Sequence, residues 1–470
     1  MSDGAGAARA DRADRADRAF LGHPRGLAYL GFAEAWERFS YYGMQTLLVL
    51  YMTRQLLLPG HVGNIAGFAR FRAMLEGLYG HPLSTVALAS AIFGLYSGTV
   101  YLTPIAGGAL ADRLWGRTRT ITVGALLMAA GHFLMAFETC FLAALLLLLL
   151  GVGCFKGNIA SQVGELYAPD DLRRADAFQI YFLFINAAVI IAPLVTGTLG
   201  EGYGWHYGFG AAGVGMLIGL LVYLAGRPSL PVEAPRSRAV SRPPAAPHAL
   251  ASRERRAVAL LILLLPVMAV GAVGNQEIFN AYLLWVPDHV DLTFFGRTLP
   301  TSWLIALDAV ASVSSLFAAV AFWRWWARRH REPSEIWKMA LGTAIGVLGQ
   351  LCLVGAAQAS SAGHKAGIAW VLGFECFNAI GFANVFPVGL ALFARAAPRG
   401  LGGTLIGVYY VHLFLCNNLV GWLGGLLEHL PGPSFWGLHA ALIGAAAAIT
   451  ALVARFGAQL LAGADASAEP

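Results

Sequence analysis

Long apolar runs alternate with short polar connections along almost the whole chain. A run of about 20 apolar residues predicts a membrane-spanning helix, because a helix of that length crosses the hydrocarbon core of a bilayer. We expect six spans in each half: 28–54, 84–110, 119–138, 141–165, 175–199 and 207–226, then 257–286, 301–328, 335–357, 366–394, 402–427 and 435–459. The pattern predicts an all-α integral membrane protein with twelve transmembrane helices in two six-helix bundles.

The connections predict the division of the chain and its orientation. A Pro-, Ser- and Arg-rich stretch between the halves is too polar to cross a bilayer and predicts a solvated linker. Most arginines of the short connections fall on the side of this linker, so the positive-inside rule places the linker and both termini in the cytoplasm. The predicted parts are a disordered tail (1–26), the first bundle (27–226), the linker (227–256), the second bundle (257–460) and a final tail (461–470).

Composition excludes several classes of function. Only 12% of the residues are charged, against roughly 25% in soluble domains, and 57% are hydrophobic. The net charge of +6 comes from scattered basic residues that membrane topology explains, so we expect no nucleic-acid partner. The five cysteines stand singly in apolar stretches and indicate packing, with no disulfide, metal or other cofactor. No hydrolase elbow, metalloprotease motif or phosphate-binding loop is present, so we do not expect an enzyme or a receptor.

The first predicted span contains charged residues, in the stretch EAWERFSYYG (34–43). A charge at the centre of a bilayer costs about 2.5–3.5 kcal/mol, so three of them facing lipid would oppose insertion by roughly 8–10 kcal/mol. At 100° per residue the polar side chains form one stripe, consisting of Glu34, Glu37, Arg38, Tyr41 and Gln45, with Tyr42 on its flank. This face must line a wet cavity or pair with another helix.

Lys156 is a candidate partner for this stripe, because it lies inside the otherwise apolar run GVGCFKGNIASQVGELY (151–167). The chain has only three lysines, and an ionisable residue within a span is a functional candidate by default. Pairing with Glu37 or Glu34 makes its charge tolerable.

The stretch GGALADRLWGRTR (107–119) resembles the loop between helices two and three of the major facilitator superfamily. This resemblance implies two bundles that alternate around a central site. Asp112, Arg113 and Arg117 are then candidates for clamping the cytoplasmic helix ends in one conformation and releasing them in another. The alternative is a basic turn that only sets topology.

A more specific resemblance is to the proton-dependent oligopeptide transporter (POT) family. Its first-helix motif E-x-x-E-R-F-x-Y-Y-G is matched in full by residues 34–43, and YLTPIAGGALADRLWG, from Tyr101, is similar to its second helix. Lys156 and Asn158 match its G-x-G-x-x-K-P-N motif, although Gly157 replaces the proline. YFLFIN, ending at Asn186, and FPVGLALFARAAP, from residue 386, resemble its fifth and tenth helices.

The family resemblance implies a proton-driven importer of di- and tripeptides, a multi-pass protein of the plasma (inner) membrane. Its implied partners are short peptides and the lipid bilayer, with protons as the coupling ion and no obligatory protein partner. Arg38 and Lys156 would bind the peptide carboxylate, while Glu34 and Glu37 take and lose the proton. The residues expected to line the pocket are Tyr41, Tyr42, Tyr101, Asn158 and Asn186.

The second half departs from the family at the acids that bind a peptide's amino group. Asn275 and Phe382 stand where acids are expected in helices seven and ten. Asp308 is our first candidate for this role and for proton coupling, and Glu277 is the second, with Asn275 taking an amide role. Glu375, two helical turns before Phe382, is a further acid. The alternative is that these acids pair with polar neighbours for packing.

Tyr409 stands near a usual tryptophan of the family and is expected to shape the side-chain pocket, with aromatic packing as the alternative. His412 in the same helix is a lesser candidate for proton transfer. The substrate therefore stays open between peptides and a non-standard ligand, namely an amino acid, a modified peptide or another organic anion. A proton-driven exporter is a further alternative.

Overall fold

The computed structural model describes residues 18–168, 171–231, 252–294, 296–360, 364–398 and 401–457. Nearly all of them are helical. The helices are α1 (Arg25–Tyr51), α2 (Phe68–Tyr79), α3 (Thr85–Val100), α4 (Thr103–Leu110), α5 (Arg117–Leu134), α6 (Phe141–Glu165), α7 (Arg173–Tyr203), α8 (Trp205–Gly226), α9 (Ser252–Gly271), α10 (Val273–Glu277), α11 (Ala281–His289), α12 (Trp303–Ala327), α13 (Glu335–Ser360), α14 (Ala369–Arg395), α15 (Gly402–Gly424) and α16 (Gly432–Phe456). A small antiparallel hairpin joins β1 (Thr293–Phe294) to β2 (Arg297–Thr298), with Thr293 opposite Thr298. The predicted all-α class is confirmed.

Several sequence predictions concern segments outside the described residues. These are the terminal tail up to residue 17, most of the linker (232–251) and the final tail from residue 458. The domain boundaries drawn from the sequence stay predictions.

The spans agree with a membrane protein. Among the described residues, nine helical segments are long and apolar enough to cross a bilayer. Three further predicted spans fall short of that measure for physical reasons. α1 carries the charged stripe, α5 begins with Arg117 and Arg119, and the seventh span is divided into α9, α10 and α11. With these three, the helices are consistent with the predicted twelve spans.

The outer faces of the long helices carry apolar side chains. Leu183 on α7 is 68% exposed and Phe317 on α12 is 73% exposed. Large exposed apolar faces are rare on soluble proteins, and in a bilayer the lipid chains cover them.

The described chain divides into two compact units. The first contains the residues up to Leu47, Asn64–Ala66 and the chain from Thr103 to the end of α8. The second contains Leu48–Gly63, Gly67–Leu102 and the chain from α9 onward. Each unit has its own core, and each is described by itself below.

In the first unit, glycines allow the helix backbones to approach closely. A Cβ atom on Gly43 of α1 would lie 2.6 Å from the Thr196 side chain on α7, and the Thr196 hydroxyl donates to the Gly43 carbonyl at 3.2 Å. Between α4 and α6, a Cβ on Gly107 would overlap the Gly153 carbonyl. This packing turns the polar stripe of α1 toward the interior of the unit.

In the second unit, α9, α13, α14, α15 and α16 contribute to a core cluster centred on residues such as Leu261, Met339, Phe393 and Tyr409. α12 is fastened to α14 by a hydrogen bond of 2.7 Å from the Trp323 indole to the Asn384 amide oxygen.

The seventh span is interrupted, which the hydropathy pattern did not predict. The helix stops after Glu277 and resumes at Ala281, with Asn280 in a non-helical conformation (φ −126°, ψ −110°). The Glu277 carboxylate accepts hydrogen bonds from the Ala281 amide at 3.2 Å and from the Asn280 side chain at 3.3 Å. It thereby serves as the N-terminal cap of α11.

Candidate functional site

Three charged side chains of α1 form a buried cluster in the first unit. Arg38 donates two hydrogen bonds to the same oxygen of Glu34, from Nε at 2.8 Å and from Nη2 at 2.6 Å. Glu37 Oε2 lies 3.4 Å from Arg38 Nε. Glu34 is 1% exposed, Glu37 is fully buried and Arg38 is also buried. Mutual pairing is what makes such burial tolerable.

Lys156 of α6 joins this cluster. Its Nζ lies 5.9 Å from the centre of the Tyr41 ring, which is itself buried, and its charge interacts with Glu37, Glu34 and Arg38. The structure therefore brings together the stripe of the first helix and the lysine of the fourth span, as expected from the sequence. Their roles in transport stay predictions.

The surroundings of the two glutamates differ. One oxygen of Glu34 is held by Arg38, whereas neither oxygen of Glu37 accepts a hydrogen bond from any described residue. A buried carboxylate without donors is the one that gains most from taking a proton. The two glutamates thus differ in their hydrogen-bond donors.

Tyr181 of α7 is a neighbour of the cluster that sequence reasoning missed. It is buried near the Glu34 carboxylate, and its hydroxyl makes no hydrogen bond to a described residue. The next residue, Phe182, is 60% exposed. The segment YFLFIN contains this tyrosine, but the sequence does not show which of its side chains faces α1.

The other polar residues predicted in the first unit have local partners. Tyr42 lies edge-on to Tyr41, with ring centres 5.3 Å apart. Asn158 donates to the backbone carbonyls of Cys154 at 2.8 Å and Gly107 at 3.3 Å, so its amide holds α6 against α4. Asn186 donates to the Phe182 carbonyl of its own helix at 2.8 Å.

The residues of the predicted cytoplasmic clamp lie at the start of α5. Arg117 forms an ion pair with Glu165 at the end of α6, and its guanidinium lies 3.8 Å from Asp112. Arg113 and Asp112 are exposed. Glu165 was not predicted from the sequence, because only the fold brings the ends of α5 and α6 together.

The second unit has a small cavity of about 40 Å³. It lies among α10, α13, α14 and α15, and its wall includes Asn275, Asn378, Phe382, Phe386 and His412. Both positions at which the expected acids are missing, Asn275 and Phe382, thus face one cavity. Gln276 donates to the Asn275 side chain at 3.2 Å.

Asp308 of α12 is buried and lies within hydrogen-bonding distance of Glu375 on α14. The Tyr282 hydroxyl of α11 donates to Glu375 at 2.6 Å. The sequence predicted Asp308 as a site residue and offered Glu375 as a further acid, but the contact between them depends on how α12 and α14 face each other.

Three other predicted residues of the second unit have evident packing partners. Glu277, besides capping α11, lies 3.7 Å from the buried His439 ring. Tyr409 is fully buried, and its hydroxyl donates to the Phe386 carbonyl at 2.6 Å. Tyr101 stacks on Tyr410 with ring centres 6.4 Å apart. The packing alternative for Tyr409 agrees with this geometry.

Comparisons with known proteins bear on this arrangement. A family model described as "POT family" matches residues 118–243. The chain is 30% identical over 457 residues to a di-/tripeptide transporter of Lactococcus lactis subsp. cremoris, covering 83% of this chain and 87% of the relative. It is 26% identical over 474 residues to the peptide transporter YePEPT of Yersinia enterocolitica, covering 86% and 88%.

A solved structure agrees with the fold along nearly the whole chain. The crystal structure of a peptide transporter, POT, in complex with sulfate has a TM-score of 0.80 and 25% sequence identity, with 94% of this chain and 97% of that chain covered. The predicted major facilitator superfamily fold is confirmed. By its sequence relatives and its fold, this chain belongs to the POT family of peptide transporters.

Proposed function

We propose that this protein is a proton-coupled symporter that imports di- and tripeptides across the plasma (inner) membrane, with both termini and the linker in the cytoplasm. The observation that carries the proposal is the buried cluster of two acids and two bases in the first unit. The name of the Lactococcus relative, a di-/tripeptide transporter, supports the choice of substrate.

The charges of the cluster explain the coupling. With all four groups ionised, Glu34 and Glu37 balance Arg38 and Lys156. A substrate carboxylate that binds Arg38 and Lys156 adds one negative charge to a buried site, which is costly. One proton on Glu37 restores neutrality. Anion and proton therefore bind favourably together and unfavourably apart, which is the requirement for symport.

The driving force is sufficient for concentrative uptake. One pH unit across the membrane supplies about 1.4 kcal/mol per proton, and 100 mV supplies about 2.3 kcal/mol per charge. Either is enough for a gradient of about tenfold or more in a peptide carried with one proton.

We assign the amino end of the peptide to Asp308. It is a buried carboxyl without a basic partner among the described residues that interact with it, and it interacts with Asn378 of the cavity wall. A second candidate function keeps the transport mechanism and changes the ligand to a modified peptide, an amino acid or another organic anion. Asn275 and Phe382 favour it, since both border the cavity where the family's acids are expected.

Purified protein in liposomes tests the main proposal. Under an inwardly directed proton gradient, the wild type should accumulate labelled dialanine above its external concentration. Glu37→Gln and Lys156→Ala should abolish accumulation, because each unbalances the cluster. Two matched controls remove the same chemical groups elsewhere. Glu138→Gln changes an exposed carboxylate, and Lys365→Ala removes a loop ammonium group that binds the Pro287 carbonyl of α11.

Accumulation that survives both cluster substitutions would refute the coupling scheme. Competition of N-acetylated dialanine with labelled dialanine distinguishes the two candidate substrates, a peptide with a free amino group and a modified ligand. If blocking the amino group leaves the affinity unchanged, the modified ligand is favoured and Asp308 is not the receptor of an amino group.

A further inference from the structure

Two carboxyl groups of the second unit face each other, and neither interacts with a basic side chain of the described residues. Asp308 projects from α12 and Glu375 from α14, and they lie within hydrogen-bonding distance. Both are almost completely buried, with exposures of 8% and 1%. The proposed transport function uses Asp308 alone and gives Glu375 no role.

The groups that face this acid pair come from two helices. Tyr282 of α11 donates to Glu375 Oε1 at 2.6 Å, and Asn378, one turn after Glu375 on α14, interacts with Asp308. Within the described part of the chain, no Lys, Arg or His is among the groups that interact with either carboxyl. The second oxygen of Glu375 and Oδ1 of Asp308 accept no hydrogen bond from a protein donor there.

Glu277 shows what a different environment does for a buried acid in the same unit. Its carboxylate accepts the backbone N–H at the start of α11 and the Asn280 amide, and it lies beside His439. Glu277 thus has two hydrogen-bond donors from the chain and an imidazole beside it. The acid pair has one phenolic donor and a second carboxyl.

Two carboxylates at hydrogen-bonding distance cannot both be ionised in a buried site, because their repulsion is not screened and each also loses its hydration. A hydrogen bond between two carboxyl groups needs an O–H donor, which only a protonated carboxyl supplies. The contact itself therefore requires a proton.

We propose that Asp308 and Glu375 share one proton, anchored by Tyr282, and that this acid pair is a second proton-binding site of the transporter in addition to Glu34 and Glu37. The inference deepens the proposed function, and its test does not need transport. With one proton the pair keeps one negative charge, which a primary ammonium group of a ligand can neutralise.

Infrared spectroscopy of the protein in lipid bilayers tests the shared proton. At neutral pH the wild type should show a C=O stretching band of a buried carboxylic acid. Asp308→Asn and Glu375→Gln should each remove it, because the remaining carboxyl then has an amide donor and no carboxylate beside it. Glu138→Gln, at an exposed carboxyl, should leave the band unchanged. A band that survives either substitution within the pair would overturn the inference.

Tyr282→Phe provides a variant that keeps both carboxyls. Removing the phenolic donor should shift the frequency of the band without removing it, and an unshifted band would contradict the assignment to Glu375. Dialanine uptake by the same preparations separates the two proposals. Uptake without the band refutes the shared proton alone, whereas the band without uptake refutes the transport function alone.

Discussion

Glu34 and Glu37 lie one turn apart on α1, but their carboxylates have different surroundings. Glu34 holds Arg38 through two hydrogen bonds, whereas Glu37 has a longer contact of 3.4 Å to the same guanidinium. A side chain that fixes a cation should govern binding, and a side chain without donors should govern protonation. The two acids are therefore not interchangeable.

Glu34→Gln should weaken substrate binding and keep proton coupling. Hydrogen bonds to charged groups contribute about 1.5–3 kcal/mol, so a displaced Arg38 should raise the KM for dialanine by roughly tenfold to a hundredfold. Glu37→Gln should retain exchange of labelled for unlabelled dialanine, which needs no net proton movement, and lose gradient-driven accumulation. Counterflow and uptake assays in the same liposomes distinguish them, and the opposite division of effects would contradict these roles.

At the residue scale, the sequence predicts the charged stripe, because charged side chains in a membrane-spanning helix must line a wet cavity or pair with another helix. It does not predict Tyr181 or the contact of Arg117 with Glu165, because each depends on which helix faces join. The role of Lys156 could be predicted only in part. Its isolation in an apolar run indicates a partner, while the choice of partner requires the packing of α6 against α1.

Among the helices, α4 and α6 provide a contrast between two adjacent glycines. A Cβ on Gly107 would meet the Gly153 carbonyl, which is backbone, whereas nothing lies within 4 Å of a Cβ on Gly108. The contact is reinforced by the Asn158 amide, which donates to the Gly107 carbonyl. Of these two glycines, only Gly107 is therefore needed for the close approach of α4 and α6.

Gly107→Ala should destabilise the protein by about 1–3 kcal/mol, since overpacking forces the helices apart. Gly108→Ala should be neutral or stabilising by up to about 1 kcal/mol, because alanine is the better helix former. The apparent Tm of each variant in detergent, followed by intrinsic fluorescence, measures the difference. Equal shifts for both variants would mean that α4 and α6 do not pack in this register.

The loop helix α2 has a polar connection to the turn that follows it. The Glu76 carboxylate accepts the Leu83 backbone N–H at 3.0 Å and the Arg72 guanidinium at 2.8 Å. These bonds lower the pKa of Glu76 below its ordinary value of 4.5. A lowered pKa in the folded state means that the stabilisation is present above the unfolded value and is lost as pH falls through the folded one.

Protection of the Gly80, His81, Leu83 and Ser84 amides from hydrogen exchange should therefore be constant near neutral pH and decrease in acid, below about the ordinary glutamate pKa. Glu76→Gln should show reduced protection at neutral pH, with little further change in acid. Protection equal to that of the wild type at neutral pH would show that the carboxylate does not hold this turn.

The helices could be predicted from the sequence wherever hydropathy alone determines them. The expected spans coincide with the long helices, since about 20 apolar residues have few other stable structures. The interruption at residues 278–280 was not predictable in this way, because it depends on the Glu277 carboxylate replacing backbone partners. α2 was also missed, since a twelve-residue amphipathic helix lies below the length of a span.

At the scale of the whole molecule, the two units differ in the charges of their buried side chains. The first has two acids and two bases, and the second has two acids that interact with no Lys, Arg or His of the described residues. A peptide is a zwitterion: its carboxylate is opposite in charge to the bases of the first site, and its ammonium group is opposite in charge to the acids of the second. The family resemblance predicted the first site, while the second follows from the contact of α12 with α14.

These balances predict how many protons a ligand exchanges on binding. A carboxylate at Arg38 and Lys156 should bring one proton onto Glu37, whereas an ammonium group beside Asp308 and Glu375 should neutralise the one negative charge that the pair keeps while it holds its proton. At saturating concentration, dialanine and N-acetyl-dialanine should then each cause uptake of one proton, and dialanine amide should cause no net proton exchange. Calorimetric titration in buffers of different ionisation enthalpy measures these counts. Asp308→Asn should preserve the uptake of one proton with N-acetyl-dialanine. Equal counts for the three ligands would mean that the carboxylate of the peptide does not control protonation of the first site.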